Sequence, residues 1–106
     1  MATFHTVAKT SDVPPGHAIV VELDDYRIAL ANVGGNEFYA IDDVCTHDGG
    51  PLGEGQLDGY AIECPRHGAR FDVRDGRVLS MPAIIPVSTY DVRVVDGEVQ
   101  VAIPAE

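Results

Sequence analysis

Basic residues are scarce in this chain. Of its 106 residues only 7 are Lys or Arg, against 17 Asp or Glu, for a formal net charge of −10. Such a surface repels phosphate backbones, so nucleic-acid binding is not expected. Anionic membrane surfaces are disfavoured for the same reason. No apolar run approaches the roughly 18 residues that a membrane span needs. Residues 1–10 contain neither a basic nor an apolar stretch. No secretory leader is therefore expected, and the cytoplasm is the expected location. Cysteine is limited to Cys45 and Cys64, too few for a disulfide scaffold. Helical periodicity is missing too: Thr10-Ser11-Asp12 suggests one short turn and no more. There is no repeat, no low-complexity tract and no linker. An apolar share of 45% with 23% charged residues suits a folded chain of one domain, expected to span 1–106.

Short strand-like runs fill the rest. Ala18 to Leu23 and Tyr26 to Ala31 flank Asp24-Asp25, a tight-turn signal, with Tyr26, Ile28 and Leu30 on one face. Glu37 to Ile41 follows the turn signal Gly34-Gly35-Asn36. Phe71 to Val73 and Arg77 to Leu79 flank Asp75-Gly76. Ser88 to Val95 reads as one alternating run with Tyr90, Val92 and Val94 together. Asp96-Gly97 then signals a type I′ hairpin into Glu98 to Ile103. Many short strands at close spacing predict an all-β sandwich or small barrel. The stretch from Asp42 to Gly59 is the exception. It is rich in Gly and Asp, has no periodicity, and reads as a long functional loop.

That loop opens on Cys45-Thr46-His47, and Cys64-Pro65-Arg66-His67 follows it. Each segment offers one thiolate and one imidazole. Two Cys and two His can hold a tetrahedral zinc, or a [2Fe–2S] cluster with two Cys on one iron and two His on the other. The spacing favours the cluster, because zinc fingers pair Cys with Cys and His with His. Here each segment supplies one of each type, as two loops gripping a two-metal object would.

Cys45-Thr46-His47, followed after residues 48–63 by Cys64-Pro65-Arg66-His67-Gly68, resembles the Rieske [2Fe–2S] motif. The likeness extends to Ser11-Asp12-Val13-Pro14-Pro15-Gly16, to Phe71-Asp72, to Gly76 through Pro82-Ala83, and to Tyr90-Asp91-Val92 with Asp96-Gly97 and Val99. Together these resemble the small Rieske ferredoxins of bacterial ring-hydroxylating oxygenase systems over nearly the whole chain. The resemblance implies that Cys45 and Cys64 hold the buried iron and that His47 and His67 hold the outer one. It implies an antiparallel β-sandwich with the cluster-binding loops at one tip, and Ser80-Met81-Pro82-Ala83 as a third loop covering the cluster.

In Rieske proteins of respiratory bc complexes each ligand loop carries a further cysteine, and Ser and Tyr hydroxyls face the cluster sulfurs. The matching positions here are Gly50 and Arg66, then Ala69 and Phe71. Missing hydroxyl donors stabilise the reduced state less, so a reduction potential low in the Rieske range, roughly −150 mV, is expected.

By resemblance the chain is a one-electron carrier and not an enzyme. It would link an NAD(P)H-dependent flavoprotein reductase to a terminal oxygenase, as a monomer, by transient electrostatic docking. Two alternatives remain: a small Rieske-like subunit of an assimilatory nitrite reductase, and a zinc-stabilised interaction module without redox function. His5 and His17 lack such context and are expected on the surface, and Tyr60 and Tyr90 are expected in the core. Arg66 and Arg70 are expected to be solvated or paired with nearby carboxylates. Glycines 49, 50, 53, 55, 59 and 68 are expected to crowd around the cluster.

Overall fold

Alternating strands of the sequence assemble into a stack of antiparallel sheets. The computed structural model describes residues 2–23, 25–35, 37–44, 52–65, 68–81 and 85–104. Its strands are β1 (Ala2–Lys9), β2 (His17–Leu23), β3 (Tyr26–Gly34), β4 (Glu37–Asp42), β5 (Gln56–Asp58), β6 (Ala61–Glu63), β7 (Arg70–Asp72), β8 (Val78–Ser80), β9 (Thr89–Tyr90), β10 (Val92–Val95) and β11 (Glu98–Pro104). The expected short turn is a 3₁₀ helix over Thr10–Asp12. The sheets have the orders β1-β11-β10, β2-β3-β4-β9 and β5-β6-β7-β8.

β3 organises the stack. Residues Ile28 to Asn32 are all buried, because alternate side chains leave a strand on opposite faces and both faces here are covered. Ile28 and Leu30 join Phe38, Ala40, Val99 and Val101 in one core. Ala29 and Ala31 join Ile41, Ile62 and Phe71 in the other. The sheet containing β3 is therefore the middle layer between the other two. Tyr26 packs partly buried against the same core as Ile28 and Leu30, the face expected for it.

The hairpin expectations hold at β2–β3, where Leu23 pairs with Tyr26, and at β10–β11, where Asp96 and Gly97 have φ of 51° and 78°, as a type I′ turn requires. The Phe71–Leu79 hairpin is present as β7–β8. Two readings need correction. Ser88 to Val95 is not one strand: β9 pairs with β4 and β10 pairs with β11. The chain changes sheets at Asp91, whose carbonyl accepts from Ala102 N–H at 2.9 Å. Tyr90 and Val92 still pack on one core, but Val94 is exposed. The Asp42–Gly59 stretch is not wholly irregular either, because its end forms β5, which pairs with β6. Strand β1, which pairs with β11 across a bulge between Thr6 and Ala8, has no counterpart in the sequence reading. The bulge breaks the alternation that would have revealed it.

Candidate metal centre

Cys64 follows β6 directly and sits in a closed turn. Its N–H donates to the Ala69 carbonyl at 2.7 Å, and its own carbonyl accepts from Gly68 N–H at 3.1 Å. Gly68 has φ of +77°, a conformation that a side chain would strain. The Cys64 side chain is 1% exposed, among Leu52, Ile62, Ala69 and Phe71. A soft thiolate donor facing inward from a loop is what an iron ligand requires. Cys64 therefore fits the cluster. Cys45, His47 and His67 lie outside the described residues, as do Gly49, Gly50 and Arg66.

The described residues on either side of the first ligand segment are tied together. Asp43 is fully shielded at its side chain. Its Oδ1 accepts from Gly53 N–H at 2.6 Å, and its Oδ2 lies 3.3 Å from an Arg27 guanidinium nitrogen. The Asp43 N–H donates to the Arg27 carbonyl at 3.0 Å. Next to it, Asp42 accepts from the Tyr90 hydroxyl. Burial and this carboxylate neighbour push the Tyr90 phenol well above its ordinary value. Leu52 closes the segment on the other side with no exposure.

The third expected loop begins at β8. Ser80 Oγ reaches the Gly68 carbonyl at 3.5 Å, a marginal contact with the second ligand turn. At its far end Val87 N–H donates to the Gly76 carbonyl at 2.9 Å. Met81 is 79% exposed, and Pro82 and Ala83 lie outside the described residues. Buried Asp72 braces the same hairpin through Arg74 and Arg77. The hydrogen bond from Arg74, followed by its charge and that of Arg77, holds the Asp72 carboxyl below its usual range.

Asp43 was not singled out in the sequence, and Asp72 was noted there only within the Phe71-Asp72 likeness, without its burial. Nothing near Asp43 marks it among seventeen acidic residues, whereas Arg74 and Arg77 stand close to Asp72. Ala69 and Phe71, where bc-complex proteins place hydroxyls, are fully buried beside Cys64. Tyr60 is not a core residue: it is exposed and lies under Arg74, whose guanidinium carbon stands 4.0 Å from the ring centre. Arg70 pairs with Asp58 at 3.2 Å, and His5 and His17 are exposed, as expected. Gly53 and Gly55 are crowded, but by protein: a methyl on Gly55 would stand 1.9 Å from the Glu63 carbonyl oxygen.

The sequence profile of the Rieske [2Fe–2S] domain matches residues 3–91. This chain belongs to the Rieske [2Fe–2S] family. Its cofactor is accordingly a Rieske-type [2Fe–2S] cluster, which supplies reversible one-electron oxidation and reduction when bound. The chain is 44% identical to the 3-phenylpropionate/cinnamic acid dioxygenase ferredoxin subunit of Shigella flexneri serotype 5b (strain 8401), over 89% of this chain and 88% of that one. Among solved structures it is similar to a chain in the complex of reduced oxygenase and oxidized ferredoxin in carbazole 1,9a-dioxygenase. The TM-score is 0.87 at 41% identity, covering 93% of this chain and 92% of that one. It is also similar to a protein assigned as an NADH-dependent nitrite reductase small subunit from Mycobacterium tuberculosis. There the TM-score is 0.88 at 26% identity, covering 100% and 99%. This Rieske protein is an electron carrier of the ferredoxin type, and its cluster sets aside the zinc-module alternative. Among the described residues no helix is long and apolar enough to cross a membrane.

Proposed function

We propose that this Rieske protein, as a single domain over 1–106, accepts one electron from an NAD(P)H-dependent flavoprotein reductase. It passes that electron to the terminal component of a ring-hydroxylating oxygenase. Cys45 and Cys64 hold the inner iron, and His47 and His67 hold the outer iron. The protein works as a monomer in the cytoplasm and docks transiently on both partners. The observation that carries this reading is the 44% identity to a dioxygenase ferredoxin subunit over almost the full length of both chains. The inward-facing Cys64 in its closed turn supports the ligand assignment.

The test is reconstitution with purified reductase and terminal oxygenase. The chain should be reduced by NAD(P)H only when the reductase is present, and should then support substrate hydroxylation. H47A and H67A should each abolish the visible absorption and the reducibility of the protein. Retention of both in either variant would overturn the ligand assignment. The nitrite reductase reading is favoured by one observation, the end-to-end fit to the small subunit from Mycobacterium tuberculosis. It predicts co-purification with a large sirohaem-containing chain, whereas the ferredoxin reading predicts elution as a small free protein.

A further inference from the structure

The geometry points to Asp43 as a positioning residue for the first ligand segment, a buried carboxylate that clasps the described residues on the two sides of that segment. The inference rests on the ligand assignment proposed above. Asp43 stands two residues before Cys45, and Gly53 follows the segment. One carboxylate oxygen takes the Gly53 N–H at 2.6 Å, so the two ends are joined directly. The other oxygen faces Arg27 at 3.3 Å, and Arg27 also pairs with Glu22. Arg27 further accepts the Asp43 N–H through its carbonyl. The clasp is thereby anchored to β3, an inner strand of the middle sheet.

A second observation makes the fit specific. A methyl group on Gly53 would stand 2.5 Å from Val20 Cγ2, 3.2 Å from Asp43 Oδ1 and 3.3 Å from the Ile19 carbonyl oxygen. The Gly53 backbone is therefore pressed between β2 and the carboxylate, and only glycine lets it approach. A shielded carboxylate needs all its partners, because each one lost leaves a desolvated charge. Partners behind the ligating residues fix ligand orientation, and their loss weakens metal retention.

The experiment follows the rate at which an iron chelator bleaches the purified holoprotein, with EPR spectra of the reduced state recorded alongside. Asp43→Ala should lose iron about tenfold faster than the unchanged protein, with a wider spread of g values. Asp43→Asn keeps a carbonyl oxygen for the Gly53 N–H and carries no charge, and the half-exposed Arg27 that it no longer satisfies keeps Glu22 and water, so iron loss should stay within about threefold. Gly53→Ala, displaced by Val20, should behave like Asp43→Ala. Val101→Ala, in the core on the opposite face of the middle sheet, should lower thermal stability without changing either readout. The inference is overturned if Asp43→Ala matches the unchanged protein, if Val101→Ala accelerates iron loss equally, or if Asp43→Asn is as fast as Asp43→Ala. Should Asp43→Ala fail to fold, Gly53→Ala and Asp43→Asn decide: fast and slow loss respectively support the clasp, and any other order sinks it. Unchanged protein holding neither iron nor sulfide would instead refute the cluster assignment itself.

Discussion

With Cys64 as the proposed ligand, Ala69 and Phe71, which share its core cluster, set what side chains the cluster would meet there. Ala69 and Phe71 are fully buried and present only carbon, so neither stabilises the added negative charge of the reduced state. Ala69→Ser should raise the midpoint potential. A hydrogen bond of about 1–1.5 kcal/mol corresponds to roughly 40–60 mV for one electron. Protein-film voltammetry reads this directly, and an unmoved potential would remove position 69 from the cluster's environment. Asp72 makes the matching argument for acid stability. Its carboxyl is held below the ordinary range chiefly by hydrogen bonding to Arg74. Its contribution is complete above the unfolded-state value near 3.9 and drains away as pH falls through the lower folded value. Asp72→Asn should therefore be less stable than the parent at pH 7 by about 2 kcal/mol, discounting the half-exposed arginines. The gap should narrow once pH falls below the unfolded-state value and close below the lower folded one, as urea denaturation at a series of pH values would show.

At the scale of elements, the backbone between β7 and β9 is held by one close approach. A methyl on Gly76 would stand 1.9 Å from the Val87 carbonyl oxygen, and Gly76 has φ of +77°. Gly76→Ala combines left-handed strain with a collision against backbone that cannot step aside. It should cost more than about 2 kcal/mol in chemical denaturation. Holoprotein made from this variant should also release iron faster, because the loop from Ser80 is anchored at this point. The turn at Asp96-Gly97 was legible because φ above zero at two successive positions is a local property. The sheet change at Asp91 was not. Tyr90 and Val92 alternate correctly for one strand, and only their different partners, Ala40 and Val101, reveal two.

Over the whole molecule the charge dominates. A net charge of −10 on 106 residues sets up a field that favours a basic docking face and speeds its encounter. Second-order electron-transfer rates with both partners should fall steeply as ionic strength rises past about 0.1 M, where the Debye length shrinks to ~10 Å. Stopped-flow measurement across a salt series checks this, and a flat profile would leave docking to apolar contact alone. The apolar candidates for that contact are exposed Val44, Leu79 and Met81, on the segments that lead into the first and third loops.

The hairpin turns and the all-β class were readable from the sequence alone because each is written in residues a few positions apart, and the proposed ligand pairs rest on the same kind of local signal. Spacing within Cys45-Thr46-His47 and Cys64-Pro65-Arg66-His67 is local chemistry, and so is alternation along Ile28, Ala29, Leu30 and Ala31. Tertiary structure alone decided that β3 is covered on both faces, since that depends on β11 and β6 arriving from far along the chain. It alone decided that Asp43 and Asp72, among the described acidic residues, are buried. A carboxylate can leave water only where N–H groups and arginines replace it: Asp72 finds them within its own hairpin, at Arg74 and Arg77, whereas those of Asp43 come from Arg27 and Gly53, which the local sequence does not record.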